Sequence, residues 1–106
     1  MQPYTLENKT ILITGASSGI GRGTAIACAE AGASCILVAR DEARLKETLA
    51  ACAPGNHRIE VADLTRFEDM KRLVERVDAL DGLVQSAGVG DNHTPLKFIT
   101  PEFVDK

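Results

Sequence analysis

The sequence predicts an α/β fold: a doubly wound parallel sheet with strand order 3-2-1-4, ending after the fourth strand. Two observations predict it. Short, apolar, β-branched runs alternate with segments of helical periodicity along the whole chain. The first of these runs leads straight into a glycine-rich loop that opens a helix. Strands alternating with helices build a parallel sheet covered on both faces, and right-handed crossovers then set the strand order.

The elements follow in sequence. Lys9 to Thr14 (KTILIT) reads as a buried strand. Gly15 to Gly21 forms a loop, and Ile20 to Ala31 is an alanine-rich helix closed by Gly32. Ser34 to Val38 (SCILV) is the second buried strand. Asp41 caps a helix that carries Leu45, Leu49 and Cys52 at helical spacing and ends at Pro54-Gly55. His57, beside Asn56, reads as a turn residue. Arg58 to Val61 is a weaker third strand. Thr65 and Glu68 form a capping box, and Phe67, Met70, Leu73, Val74 and Val77 share one face of the helix that it starts. Gly82 to Gln85 is the fourth strand, Ser86 to Lys97 a polar loop, and Thr100-Pro101-Glu102 the start of another helix.

Composition narrows the class. The 106 residues allow one domain, with 44% hydrophobic and 25% charged residues, as in an ordinary globular protein. A net charge of -3 argues against a nucleic-acid surface or an anionic membrane as partner. No apolar run approaches the roughly 20 residues that span a bilayer, and the first ten residues lack the pattern of a secretory signal. Cys28, Cys35 and Cys52 have no metal-ligand or redox spacing. They read as reduced core residues, and the expected location is cytoplasmic.

The chemistry lies in Thr14-Gly15-Ala16-Ser17-Ser18-Gly19-Ile20-Gly21. Gly15 would make the turn, Gly19 would admit phosphates to the helix N-terminus, and Gly21 would let the helix pack against the strand. Ser17 and Ser18 offer hydroxyl donors beside the anion. An ordinary tight turn is the bland alternative. The spacing is GxxxGxG rather than GxGxxG.

TGASSGIG resembles the TGxxxGxG motif of the short-chain dehydrogenase/reductase family, and the later elements resemble the N-terminal half of that family in order and length. The resemblance implies a Rossmann-like, incomplete nucleotide-binding domain over residues 1–106 and a nicotinamide dinucleotide as partner. It places Gly15, Ser17, Ser18, Gly19, Ile20 and Gly21 around the phosphates. Ala39 stands where the family carries an acid, and Arg40 follows it. A guanidinium there can fork onto a 2′-phosphate and stack over adenine, which favours NADP(H) over NAD(H). A solvated Arg40 paired with Asp41 or Glu42 is the alternative. By the same resemblance Asp63 accepts from the adenine amino group, or merely caps the next helix, and Leu64 adds a backbone contact. Gln85-Ser86-Ala87-Gly88 stands in place of NNAG, with Ala87 and Gly88 keeping room beside the ribose.

The family transfers a hydride with a serine and a YxxxK pair. The one tyrosine, Tyr4, precedes the first strand with no lysine four residues on, and Asn92 lies too early for the family's asparagine. No catalytic residue is therefore assigned, and the chain reads as an inactive, cofactor-holding piece of a parent oxidoreductase that acts on a small carbonyl or alcohol. A non-catalytic dinucleotide-binding or interaction module is the second reading. A fold ending at the fourth strand would leave Leu83 and Val84 on an open edge, which invites self-association. Gly15 to Gly19 also fits GxSxG, with Ser17, Asp63 and His93 in hydrolase order, but that elbow belongs later in its sheet.

Overall fold

A computed structural model describes residues 5–86 and 97–99 of the chain. β1 (Thr10–Thr14), α1 (Gly19–Glu30), β2 (Ser34–Ala39), α2 (Glu42–Ala51), β3 (Arg58–Val61), α3 (Phe67–Arg76), β4 (Gly82–Gln85) and β5 (Lys97–Ile99) follow in order. The sheet runs β3-β2-β1-β4-β5, with β1 to β4 parallel, so the order read from the sequence holds across these four strands. β5 pairs antiparallel with β4, setting Leu83 opposite Ile99 and Val84 opposite Phe98. The expected open edge at Leu83 and Val84 is thus paired, because Lys97, expected to end the loop, instead opens a strand that runs to Ile99. Self-association through that edge loses its basis.

Strand periodicity sorts the core into two layers. Ile11, Ile13, Cys35 and Leu37 point to one face, where Ala25, Cys28 and Ala29 of α1 and Leu45 of α2 close over them. Leu12, Ile36 and Val38 point to the other, where Leu73 of α3 covers them with Ala62. Parallel strands buried on both faces need apolar side chains at every position, which is why SCILV reads as a continuous run. Cys28 and Cys35 are buried and Cys52 half-buried, all as free thiols. Burial pushes the Cys35 thiol up to about 12, so it packs as a small apolar group.

Helix ends follow local chemistry. At the end of α1, Gly32 N–H donates to Ala29 O and Ala33 N–H to Cys28 O, a Schellman closure made with Gly32 at φ 101°. Asp41 caps α2 as expected, its carboxylate accepting from Arg44 N–H at 3.1 Å. α3 departs from expectation. Its N-cap is Arg66 with no side-chain cap bond. Thr65 is unavailable as a cap because its hydroxyl donates to Asp63 Oδ1 at 2.6 Å. The apolar stripe is also only partly used. Leu73 is buried and Val77 packs beside it, whereas Phe67 and Val74 are 75% and 66% exposed. Only the Leu73–Val77 side of the helix meets the sheet among the described residues.

His57 is more than a turn residue. Its Nδ1 accepts from Cys35 N–H at 3.0 Å, and Nε2 lies 2.8 Å from Ala53 O. Both bonds together require the neutral ring with its proton on Nε2. The imidazole therefore staples the α2–β3 turn to the start of β2. His57→Ala is expected to lower stability by about 1–2 kcal/mol through the lost partner of a main-chain donor. An unchanged denaturation midpoint would show that water replaces the ring. No helix among the described residues is long and apolar enough to cross a membrane.

Candidate functional site

The C-terminal ends of β1, β2, β3 and β4 bring the sequence-selected residues to one rim of the sheet. At its centre the chain leaves β1 at Gly15, with φ 64°, the left-handed region that an L side chain enters at a cost. The turn is also tight in space: a Cβ on Gly15 would collide with the carbonyl oxygen of Ser86 at the end of β4. A Cβ on Gly21 would strike the Gly15 carbonyl in the same way, so α1 can approach the loop only with glycine there. Gly19 differs. It has φ 58° and nothing within 4 Å of its would-be Cβ, so its main chain faces open space at the start of α1.

Hydrogen bonds hold this loop from three sides. Ser86 N–H donates to Thr14 Oγ1 at 3.2 Å, tying β4 to the end of β1. Ala16 N–H donates to Val38 O at 3.1 Å, tying the loop to β2. Thr48 of α2 donates its hydroxyl to Ala16 O at 2.9 Å and is fully buried. Sequence reading missed Thr48, which looks like any polar residue of an amphipathic helix. Its partner is a backbone carbonyl far back in the chain, and no spacing rule points there. Thr48→Val keeps the shape and orphans the buried carbonyl, so it is expected to cost about 1–2 kcal/mol. Thr48→Ser should recover most of the loss in urea unfolding; equal midpoints for all three proteins would remove this role.

The start of α1 is uncapped by side chains. Ser18 is the N-cap of α1, yet its side chain makes no cap bond, and Ser17 is half-buried beside it. The first turn of α1 carries no acidic residue to compete. Ile20 sits in that turn with 64% of its surface exposed, bordering the same open space as Gly19.

A second hollow of about 290 Å³ opens at the ends of β2 and β3, lined by Arg40, Val61, Ala62, Asp63, Arg66 and Asp69. Arg40 has no ion pair among the described residues. The partners suggested for it are engaged elsewhere, Asp41 with Arg44 and Glu42 with Lys46. Arg22, in the first turn of α1, is directed to Glu47 at 4.0 Å. Asp63 accepts Thr65 N–H at 3.0 Å and the Thr65 hydroxyl at 2.6 Å, both on Oδ1. These bonds, with a smaller contribution from the charge of Arg40, hold its carboxyl below the usual carboxylate range. Oδ2 of this half-buried, ionised group has no hydrogen bond among the described residues and remains an acceptor. Leu64 turns its side chain onto the Leu73 cluster. Ala87, Gly88, Asn92 and His93 lie outside the described residues, as does the helix start read at Thr100.

A larger hollow, about 480 Å³, lies alongside between β3 and α3. Both arginines in its lining are already paired: Arg76 meets Glu60 at 3.0 Å and Arg72 meets Asp69 at 2.7 Å. Among the described residues no cluster of His, Cys, Asp or Glu could hold a metal ion.

Comparison with known proteins agrees with this geometry. The sequence profile described as short chain dehydrogenase matches residues 9–106. The chain belongs to the short-chain dehydrogenase family. An uncharacterized oxidoreductase of Listeria innocua is 40% identical to it over 94 residues, covering 83% of the chain and 38% of that relative. A glucose 1-dehydrogenase of Gluconobacter oxydans is 43% identical over 79 residues, covering 71% of the chain and 30% of that enzyme. The solved RhlG/NADP active-site complex of Pseudomonas aeruginosa superposes with a TM-score of 0.73 at 35% identity, over 84% of the chain and 38% of RhlG. This short-chain dehydrogenase sequence therefore spans about a third of the length of the relatives it matches.

Proposed function

We propose that the chain is the NADP(H)-holding part of an oxidoreductase that interconverts a small carbonyl compound and its alcohol. Arg40 carries the reading. It is a guanidinium free of ion pairs among the described residues, it stands after Ala39 where an acid would repel a phosphate, and it lines the same hollow as Asp63. The residues present suit the group. Gly19 and the uncommitted Ser18 and Ser17 hydroxyls suit the pyrophosphate at the mouth of α1, and Asp63 Oδ2 suits the adenine amino group. Ala87 and Gly88 complete the reading beside the ribose, with Leu64 giving a main-chain contact. Relatives named as oxidoreductases, and one solved with NADP, support it.

The cofactor, when bound, supplies the hydride; these residues bind and orient it. Proton transfer is not among their tasks, because Tyr4 is followed four residues later by Asn8 rather than by lysine. The chain on its own is accordingly expected to bind without turning over, and its reduced thiols fit a cytosolic setting.

Calorimetric titration with NADP(H) and with NAD(H) tests the proposal. Tighter binding of NADP(H) is the expected result. Equal affinity, or a preference for NAD(H), would overturn the cofactor assignment and leave the phosphate loop as a site for either dinucleotide.

A further inference from the structure

Arg40 is not alone in lacking a carboxylate partner. Among the described residues Arg22, Arg44, Arg58, Arg72 and Arg76 each lie within 4.0 Å of one. Arg66 does not, and it lines the same 290 Å³ hollow as Arg40. Its position gives nothing to the helix that it begins. As N-cap of α3 it makes no side-chain cap bond, and a cation at a helix N-terminus opposes the helix dipole. Apart from a small part in holding the Asp69 carboxyl low, the folded chain gives Arg66 no task at this point among the described residues.

We infer that Arg66 closes the adenine pocket, laying its guanidinium against the base on the side away from Arg40. The inference rests on the dinucleotide reading above and adds a residue to it. The chemistry of the hollow favours a neutral ring over a phosphate at this end. Asp63 and Asp69 both line it, and a phosphate dianion placed between them would meet two carboxylates. Both carboxyls are held below the usual range by their hydrogen bonds, so both are charged at neutral pH. A purine bearing an exocyclic amino group meets the opposite situation, with Asp63 Oδ2 as its acceptor. Val61, half-exposed at the end of β3, and the buried Ala62 give an apolar floor. The volume suits one ring system and falls at the small end of ligand pockets, which run from roughly 300 to 1,000 Å³. Planar guanidinium groups stack on aromatic faces, and an exposed stack of this kind changes affinity by about two- to fivefold.

The test is titration of wild type, Arg66→Ala and Arg66→Lys with NADP(H), NAD(H) and nicotinamide mononucleotide, which lacks the adenine. Circular dichroism checks that the variants fold; among the described residues Arg66 has no hydrogen bond from its side chain to lose. Arg66→Ala is expected to weaken both dinucleotides by the same factor, about two- to fivefold, and to leave the mononucleotide unchanged. Arg66→Lys should behave like Arg66→Ala, since the ammonium keeps the charge but has no plane. Loss confined to NADP(H) would make Arg66 a phosphate ligand and overturn the inference, as would unchanged affinity for both. If wild type binds neither dinucleotide, the dinucleotide reading itself fails and takes this residue with it. If wild type binds both and the substitutions change neither affinity, Arg66 alone is misassigned.

Discussion

Gly15→Ala is expected to destabilise the protein by about 2–5 kcal/mol and to remove the cofactor site with it. Two costs combine. The left-handed backbone at φ 64° penalises any L side chain by about 1–2 kcal/mol. The added methyl also overlaps the Ser86 carbonyl, main chain that cannot swing aside as a flexible side chain would, and such overpacking costs about 1–3 kcal/mol. The shift needed to relieve it would pull Ser86 N–H from Thr14 Oγ1 and part the ends of β1 and β4. Gly23→Ala is the control. Gly23 lies inside α1 with open space around its would-be Cβ, so alanine there should stabilise by up to about 1 kcal/mol. Urea unfolding of both variants reads the two signs. A Gly15→Ala protein with a wild-type midpoint would mean that the turn is looser than described.

Arg40→Ala should cost NADP(H) about 100-fold in affinity while NAD(H) changes little. A charge-assisted bond to a phosphate contributes about 1.5–3 kcal/mol, and the fork geometry allows two. NAD(H) carries no 2′-phosphate, so it can lose only whatever stacking Arg40 provides, roughly two- to fivefold. The ratio of the two losses is the diagnostic quantity. Parallel losses would assign Arg40 to the adenine face alone. No loss for either would return it to solvent, as a surface arginine. The unchanged pairing of Asp41 with Arg44 and Glu42 with Lys46 makes misfolding of the variant a poor explanation for any loss.

Much of the scaffold is legible in the sequence because its signals are local. Ile11 to Ile13 and Cys35 to Val38 carry buried-strand chemistry at every position, and the glycines of GxxxGxG stand where φ 64°, φ 58° and close helix approach require them. Gly32 and Asp41 mark helix ends by chemistry confined to a few residues. The misreadings arise where two local motifs compete. Thr65 and Glu68 satisfy the capping-box pattern, yet Asp63 takes the Thr65 hydroxyl first, and Asp69 rather than Glu68 reaches back, accepting Asp63 N–H at 2.8 Å. Thr48 and His57 were hidden for another reason: each serves a main-chain atom distant in sequence, and side chain to backbone bonds leave no covarying pattern in a single chain. The shared face of Phe67, Met70, Leu73, Val74 and Val77 is legible, but periodicity identifies a face and does not say how much of it finds a neighbour.

The position of β1 has a consequence for the order in which the chain assembles. On one side it pairs with β2, Thr10 opposite Ser34; on the other with β4, Ile11 opposite Gly82. Closing the longer loop costs about 1 kcal/mol more in chain entropy than closing the shorter one. Non-local parallel pairings of this kind form slowly, so β1–β2 with α1 is the natural early unit and β4 a late arrival. The glycine loop after β1 reaches its final shape only when Ser86 docks over Gly15. A dinucleotide held there would bind a surface that a late folding step creates, and so would act as a latch on that step.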